Sequence, residues 1–345
     1  MASLGEIYSY DRRSQEQMDA LLLSEGIRRD KNLDYSCGVF EDDGTLIATG
    51  SSFKNTLRCL AVSSEHRGEG LMNQVVSHLL ERQMLQGNSH VFLYTKAKNA
   101  RIFSDLGFYE IARVEGELVF LENRRDGFGR YLKKLEKTRQ EGKCAAIVMN
   151  ANPFTLGHRH LVEQAAREND WVHLFLLSEE AGPIPFAVRK RLVMEGVADL
   201  KNVILHDSGP YIISSATFPS YFLRDEDAAI LAHARLDLAV FGKIASALGI
   251  ESRYVGEEKS SHVTALYNET MARELPALGL GFREIPRLSL RGETVSASSV
   301  RQAIQEGKLS DLAFMLPESS LRYFESEEAA PVIAAIRAMD EARHY

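Results

Sequence analysis

The sequence predicts two α/β domains in series, the second built on a parallel sheet with helices on both faces. Three observations point there. The chain has 345 residues, more than one ordinary compact domain needs. A strongly charged stretch at 123–143 separates two segments of different pattern. After that stretch, apolar runs of strand length alternate with apolar residues at helical spacing, as in βαβ units.

Residues 1–122 form the first expected domain. "SCGVFEDDGTLIATGSSF" is a hairpin turning at "DDG". "TLRCLAVSSEHRGEGLMNQVVSHLLERQMLQG" is a strand, a glycine-bearing turn and a helix, and "SHVFLYTKA" is a further strand. "NARIFSDLGFYE" is a short helix closed by Gly107, followed by a strand. Residues 123–143, with eight basic and three acidic side chains, are an exposed connector and part helix. Their basic run is a solvated helix face.

Residues 144–345 form the second expected domain. "CAAIVMN", "WVHLFLLS", "NVILHD", "SRYVGEE" and "FREIPRL" are its strands. Helices follow at "LVEQAA", at "PFAVRKRLVMEGVADL" with Pro185 early in it, at "DEDAAILAHARLDLAVFGKIASALG", at "VTALYNETMARELPALG" and at "SASSVRQAIQEG". Ligands of such sheets bind at the carboxyl ends of the strands.

A hydrophobic content of 45%, a charged content of 26% and a net charge of -7 describe a soluble globular chain. The negative balance disfavours nonspecific binding to nucleic acid or an anionic membrane, which needs a positive field. Cys37, Cys59 and Cys144 are few, odd in number and widely spaced, so neither a disulfide framework nor a structural zinc site is expected. The N-terminus has no apolar core and no stretch reaches membrane-spanning length, so a cytoplasmic protein is expected. The scattered histidines, His262 among them, lack metal-ligand spacing, and no metal-binding residue is expected.

Two junctions carry the chemistry. In "NPFTLGH", residues 152–158, Gly157 lets the backbone turn tightly just where a helix begins. The first N–H groups of that helix lack partners and attract phosphate. His158 can donate to phosphoryl oxygens as charge builds on them, and Thr155 adds a hydroxyl. The chemistry indicated is attack on a nucleotide α-phosphate with pyrophosphate leaving, which needs positioning more than a protein nucleophile. Simple helix capping by Thr155 and His158 is the plainer alternative. The second junction, "VSASSVR" at 295–301, offers serine hydroxyls and free N–H groups, with Arg301 one turn into the helix in reach of a β- or γ-phosphate. Glu257, Glu258 and Lys259 follow a strand end and either orient ribose, metal or acetate or form a charged surface turn. Arg189 and Arg191 either face the triphosphate or lie on a helix surface. "SATFPSYFLRD" either shapes a small acyl pocket or is core.

These junctions, in this order and separation, resemble the HxGH nucleotidyltransferase superfamily, with threonine in the first histidine position and Ala297 where a second serine is usual. Together with "YIISSATFPSYFLRD", "RYVGEEKSSHVTALYNETM" and "IPRLSLRGETVSASSVRQAI", they resemble the citrate lyase ligase family over roughly the last two hundred residues. The resemblance implies a Rossmann-like nucleotidyltransferase domain. Thr155, His158 and Arg301 would be catalytic, and Asn152, Phe154, Gly157, Gly256, Glu257, Ser296, Ser298 and Ser299 would contact nucleotide. It also implies a GNAT-like first domain. There "SSEHRGEG" resembles the turn that holds a CoA pyrophosphate, with Arg67 and Gly70 matching, Gly68 between them also expected to bind the cofactor, and Met72 where glycine or alanine is usual. Phe103 stands near the place of the usual general-acid tyrosine.

The activity so implied uses ATP, with Mg²⁺ bridging its phosphates, and acetate. Acetyl-AMP forms, and the acetyl group passes to the thiol prosthetic group on the acyl carrier subunit of citrate lyase. The alternatives are a small-molecule adenylyltransferase fused to an active CoA-dependent acetyltransferase, and a non-enzymatic nucleotide sensor.

Overall fold

The computed structural model describes residues 2–180, 182–212, 218–219, 221, 226–258 and 261–339. The chain divides into two compact units, Met1–Arg130 with Phe218–Ala239, and Tyr131–Thr217 with Val240–Tyr345.

The first unit holds β1 (Ser3–Glu6), α1 (Arg12–Ser24), β2 (Tyr35–Phe40), β3 (Leu46–Phe53), β4 (Thr56–Val62), α2 (Leu71–Leu85), β5 (Phe92–Lys96), α3 (Ala100–Asp105), β6 (Tyr109–Val114) and β7 (Leu118–Glu122). Its mixed sheet has the order β1-β2-β3-β4-β5-β7-β6. The one parallel pair, β4 with β5, is joined only at Thr56 with Phe92 and Leu57 with Leu93. Val75, Val76 and Leu79 of α2 and Phe103 of α3 bury their apolar sides in the core with Leu57, Leu93 and Leu121 of the sheet. Residues 218–239 belong here through specific contacts. Arg28 donates its backbone N–H to the Tyr221 carbonyl at 2.8 Å, Arg235 pairs with Glu117 at 2.8 Å, and the Phe218 ring meets Tyr94 edge-on.

The charged connector contains α4 (Gly127–Glu136), whose Phe128 and Leu135 are buried. The second unit then runs β8 (Cys144–Met149), α5 (Leu156–Glu168), β9 (Trp171–Leu176), α6 (Phe186–Gly196) and β10 (Val203–Asp207). It continues with α7 (Glu226–Leu248), β11 (Ile250–Gly256), α8 (His262–Glu274), β12 (Gly281–Ile285), the small hairpin β13 (Ser289–Leu290) and β14 (Glu293–Thr294), α9 (Ala297–Gln305), α10 (Glu318–Glu325) and α11 (Ala330–Arg337). Residues of α7 up to Ala239 count with the first unit and those from Val240 with the second.

The second sheet is wholly parallel, in the order β10-β9-β8-β11-β12. Its central strand, "CAAIVM", is apolar throughout because both faces of a parallel sheet are covered. Ile147 and Met149 share a core with Val162 and Ala165 of α5, Leu192 of α6, Ile304 of α9, Phe324 of α10 and Ile336 of α11. The chain goes from β8 outward through β9 to β10, then returns to the other side of β8 as β11. That reversal opens a crevice beyond the carboxyl ends of β8 and β11, where sheets of this type bind ligands.

Candidate active site

The turn after β8 reaches this crevice. Its path is fixed by left-handed Ala151 (φ +52°) and a cis peptide at Asn152–Pro153. Phe154, with no exposed surface, anchors the turn in the core and presents nothing to solvent. Thr155 caps α5, its Oγ1 accepting from the His158 N–H at 3.3 Å. The Thr155 N–H in turn donates to His158 Nδ1 at 3.1 Å. A backbone N–H can only donate, so Nδ1 carries a lone pair and, in the neutral ring, the proton sits on Nε2. Burial first, then the charges of Arg287 and Arg301, pushes the His158 pKa down from 6.5 to about 4. At neutral pH the ring is therefore an uncharged Nε2–H donor. It lies in a densely protein-surrounded place yet keeps some solvent-accessible surface, as expected at the floor of a crevice.

The second junction meets the first. A Cβ added at Gly157 would stand 2.5 Å from the Val295 carbonyl oxygen, so only glycine lets the two backbones approach this closely. Ser296 caps α9, accepting from the Ser299 N–H at 3.0 Å, and Ser299 Oγ donates to the Thr294 carbonyl at 3.0 Å. Ser298 Oγ accepts from Arg301 Nη2 at 3.2 Å. Arg301 is 2% exposed, and its Nη1 donates to the Asn152 carbonyl at 2.6 Å. It ties α9 to the turn after β8 instead of standing open to the crevice. Asn152 is 3% exposed, its Oδ1 accepting from the Ile184 N–H, and its Nδ2 has no hydrogen-bond partner among the described residues.

The end of β11 completes the crevice. Gly256 faces open space at its Cβ position, and the Glu257 N–H donates to the Ile285 carbonyl at 2.8 Å. Arg287, which the sequence analysis did not single out, donates from Nε to the Glu257 carbonyl at 2.6 Å and pairs through Nη2 with the buried Glu258 carboxylate. Lys259 lies outside the described residues. Other candidates stand elsewhere. Arg189 is fully buried and donates to the carbonyls of Ile184, Asn150, Leu177 and Glu179, fastening the carboxyl ends of β8 and β9. Arg191 makes a surface pair with Glu328. Phe218 and Tyr221 of "SATFPSYFLRD" are buried with the first unit, and Pro219 is described beside them; the rest of that stretch lies outside the described residues.

In the first unit, Gly68 (φ +89°) and Gly70 (φ +79°) shape the turn before α2, and nothing lies within 4 Å of either Cβ position. Gly70 caps α2 without a side-chain hydrogen bond, leaving the N–H groups of its first turn open. Arg67 is mostly exposed and pairs with Glu25 at 2.5 Å. Phe103 is core. All three cysteines are buried and free. No helix among the described residues is long and apolar enough to cross a membrane.

Two known protein families match parts of the chain. Residues 3–110 match the acetyltransferase (GNAT) family, and residues 144–324 match the citrate lyase ligase C-terminal domain. The chain is 36% identical over 331 residues to the [citrate [pro-3S]-lyase] ligase of Escherichia coli (strain K12), covering 93% of this chain and 94% of that protein. It is 35% identical over 328 residues to the enzyme of the same name from Haemophilus influenzae, covering 92% of this chain and 98% of that one. The Klebsiella pneumoniae ligase is 36% identical over 319 residues, covering 91% and 93%. With relatives at this identity spanning nearly its whole length, the chain belongs to the citrate lyase ligase family.

Proposed function

We propose that the protein activates citrate lyase by acetylating the thiol prosthetic group of its acyl carrier subunit, using ATP and acetate. Thioester formation from acetate and a thiol is uphill, so the carboxylate must first be activated. In this reading acetate attacks the α-phosphorus of ATP. A bond forms between an acetate oxygen and phosphorus, the bond to the bridging oxygen breaks, and pyrophosphate leaves. The thiol sulfur then attacks the acetyl carbon of acetyl-AMP, its proton is lost, and AMP departs.

The observation that carries this reading is the meeting of the turn at Thr155–His158 with the backbone at Val295, beyond the carboxyl ends of the two strands where the sheet reverses. His158 Nε2–H would donate to the α-phosphoryl oxygens as their charge grows, with the positive ends of α5 and α9 beside the phosphates. Such positioned donors supply most of what phosphoryl transfer needs. Mg²⁺ would arrive on the triphosphate. Among the described residues no three His, Cys, Asp or Glu side chains gather into a metal cage, and a magnesium ion shared with phosphates needs none.

The first unit is assigned the carrier. Its turn before α2 has the open amides that suit a pyrophosphate, and the dephospho-CoA-like prosthetic group carries one. Phe103 supplies no acid hydroxyl, so the unit binds the arm without transferring acetyl from acetyl-CoA. Acetate-dependent exchange of labelled pyrophosphate into ATP tests the adenylation step, and acetyl transfer to the carrier tests the second.

A further inference from the structure

We propose that Arg287, not Arg301, is the cation that receives the triphosphate of ATP, with Glu258 as the residue that positions its guanidinium. The proposal rests on the adenylation reading above and names the residue that would meet the leaving pyrophosphate.

Arg301 is committed elsewhere. It is 2% exposed and its Nη1 holds the Asn152 carbonyl at 2.6 Å, so meeting a phosphate would mean releasing the turn that presents His158. Arg287 is, with Arg301, one of the two cations whose charge acts on His158. It follows β12 at the carboxyl edge of the sheet. Its neighbour Leu288 accepts the Val295 N–H at 2.9 Å, and the Val295 carbonyl is the group against which Gly157 fits. One residue therefore separates Arg287 from the backbone that touches the His158 turn.

On its other side, Nε holds the Glu257 carbonyl and Nη2 holds the Glu258 carboxylate, itself fixed by the Ser261 N–H at 3.1 Å. Arg287 thus joins the loops after β11 and β12 beside the turn after β8. Nη1 has no hydrogen-bond partner among the described residues, and the side chain is 24% exposed. A guanidinium held by one edge with its other nitrogen open is the form in which arginine receives phosphate oxygens. The depressed pKa of His158, caused in part by the Arg287 charge, agrees with this closeness.

The test is equilibrium binding of ATP and of AMP to the full chain by calorimetry. Arg287→Gln is expected to weaken ATP tenfold or more while AMP changes less than twofold, because AMP lacks the phosphates concerned. Arg287→Lys, which keeps the charge and loses the fork, should fall between and serves if the glutamine variant does not fold. Glu258→Gln removes the counter-charge but keeps an amide oxygen that can still accept from Nη2 and hold the guanidinium in place, so ATP binding should hold or tighten. Equal weakening of ATP and AMP in Arg287→Gln, no weakening of either, or loss of ATP in Glu258→Gln like that in Arg287→Gln would make the pair a structural strut and overturn the proposal. Binding is read without acetate or turnover, so absence of pyrophosphate exchange in the wild type would sink the adenylation reading and leave this comparison standing.

Discussion

The backbone N–H of Thr155 donates to His158 Nδ1 at 3.1 Å, while Thr155 Oγ1 accepts from the His158 N–H at 3.3 Å. This reciprocal cap does two things at once. It closes the start of α5, and it fixes which imidazole nitrogen bears the proton. The capping reading and the catalytic reading of "TLGH" are therefore compatible: a ring held through Nδ1 keeps Nε2–H as its donor.

Replacing His158 with alanine should lower adenylation by about a hundredfold or more, the usual cost of losing one such donor. The fold should survive with a loss of about 1 kcal/mol, since half of the cap remains. Pyrophosphate exchange and urea unfolding on the same sample check both figures. Near-normal exchange would remove His158 from the chemistry.

Thr155→Ala should cost about 1–2 kcal/mol of stability, because the fully buried hydroxyl caps α5. It should also slow adenylation by leaving the His158 ring less firmly oriented. Thr155→Ser should restore most of both. A serine variant as slow as the alanine variant would show that the hydroxyl is not what matters.

Gly157→Ala tests the meeting of the two junctions. Alanine favours helix over glycine by about 1 kcal/mol, but here its Cβ would stand 2.5 Å from the Val295 carbonyl oxygen. One backbone must move, and adenylation should fall tenfold or more while the protein stays folded. Unchanged exchange would mean that the two turns need not touch.

Acid should destabilise the fold before its carboxylates titrate. His158, His173 and His206 are all pushed down from 6.5 to about 4, with burial the largest cause. His173 Nδ1 and His206 Nε2 lie 2.9 Å apart on neighbouring strands, and protonating both would place two charges in the core. Between pH 6.5 and 4 the unfolded chain binds protons that the folded chain refuses. Stability is therefore fully present above 6.5 and is lost as pH falls toward 4. Urea midpoints at pH 7.5 and 5 should differ in the wild type and differ less in His173→Gln. A flat profile would contradict the shifts.

Much of this was legible along the chain. Alternating apolar runs at "CAAIVMN", "WVHLFLLS" and "NVILHD" marked the parallel sheet, because strands buried on both faces need unbroken apolar sequence. Gly157 and His158 were legible because a turn and a helix start are local events. Arg287 was not, since its place depends on strand order and on a hairpin that returns beside Val295. Nor was the burial of Arg301, whose spacing from the serines is the same whether it faces solvent or the Asn152 carbonyl. The His173–His206 pair lies 33 residues apart in sequence and is set only by the β9–β10 register. Residues 218–239 follow β10 in sequence, yet they join the first sheet through Tyr221, Phe218 and Arg235, contacts that no local pattern announces.

The most direct test of the central claim is exchange of labelled pyrophosphate into ATP by the purified chain with Mg²⁺, with and without acetate. Acetate activation through acetyl-AMP predicts rapid exchange that requires acetate and is nearly abolished in His158→Ala. Exchange that proceeds equally without acetate, or none with acetate present, would contradict it.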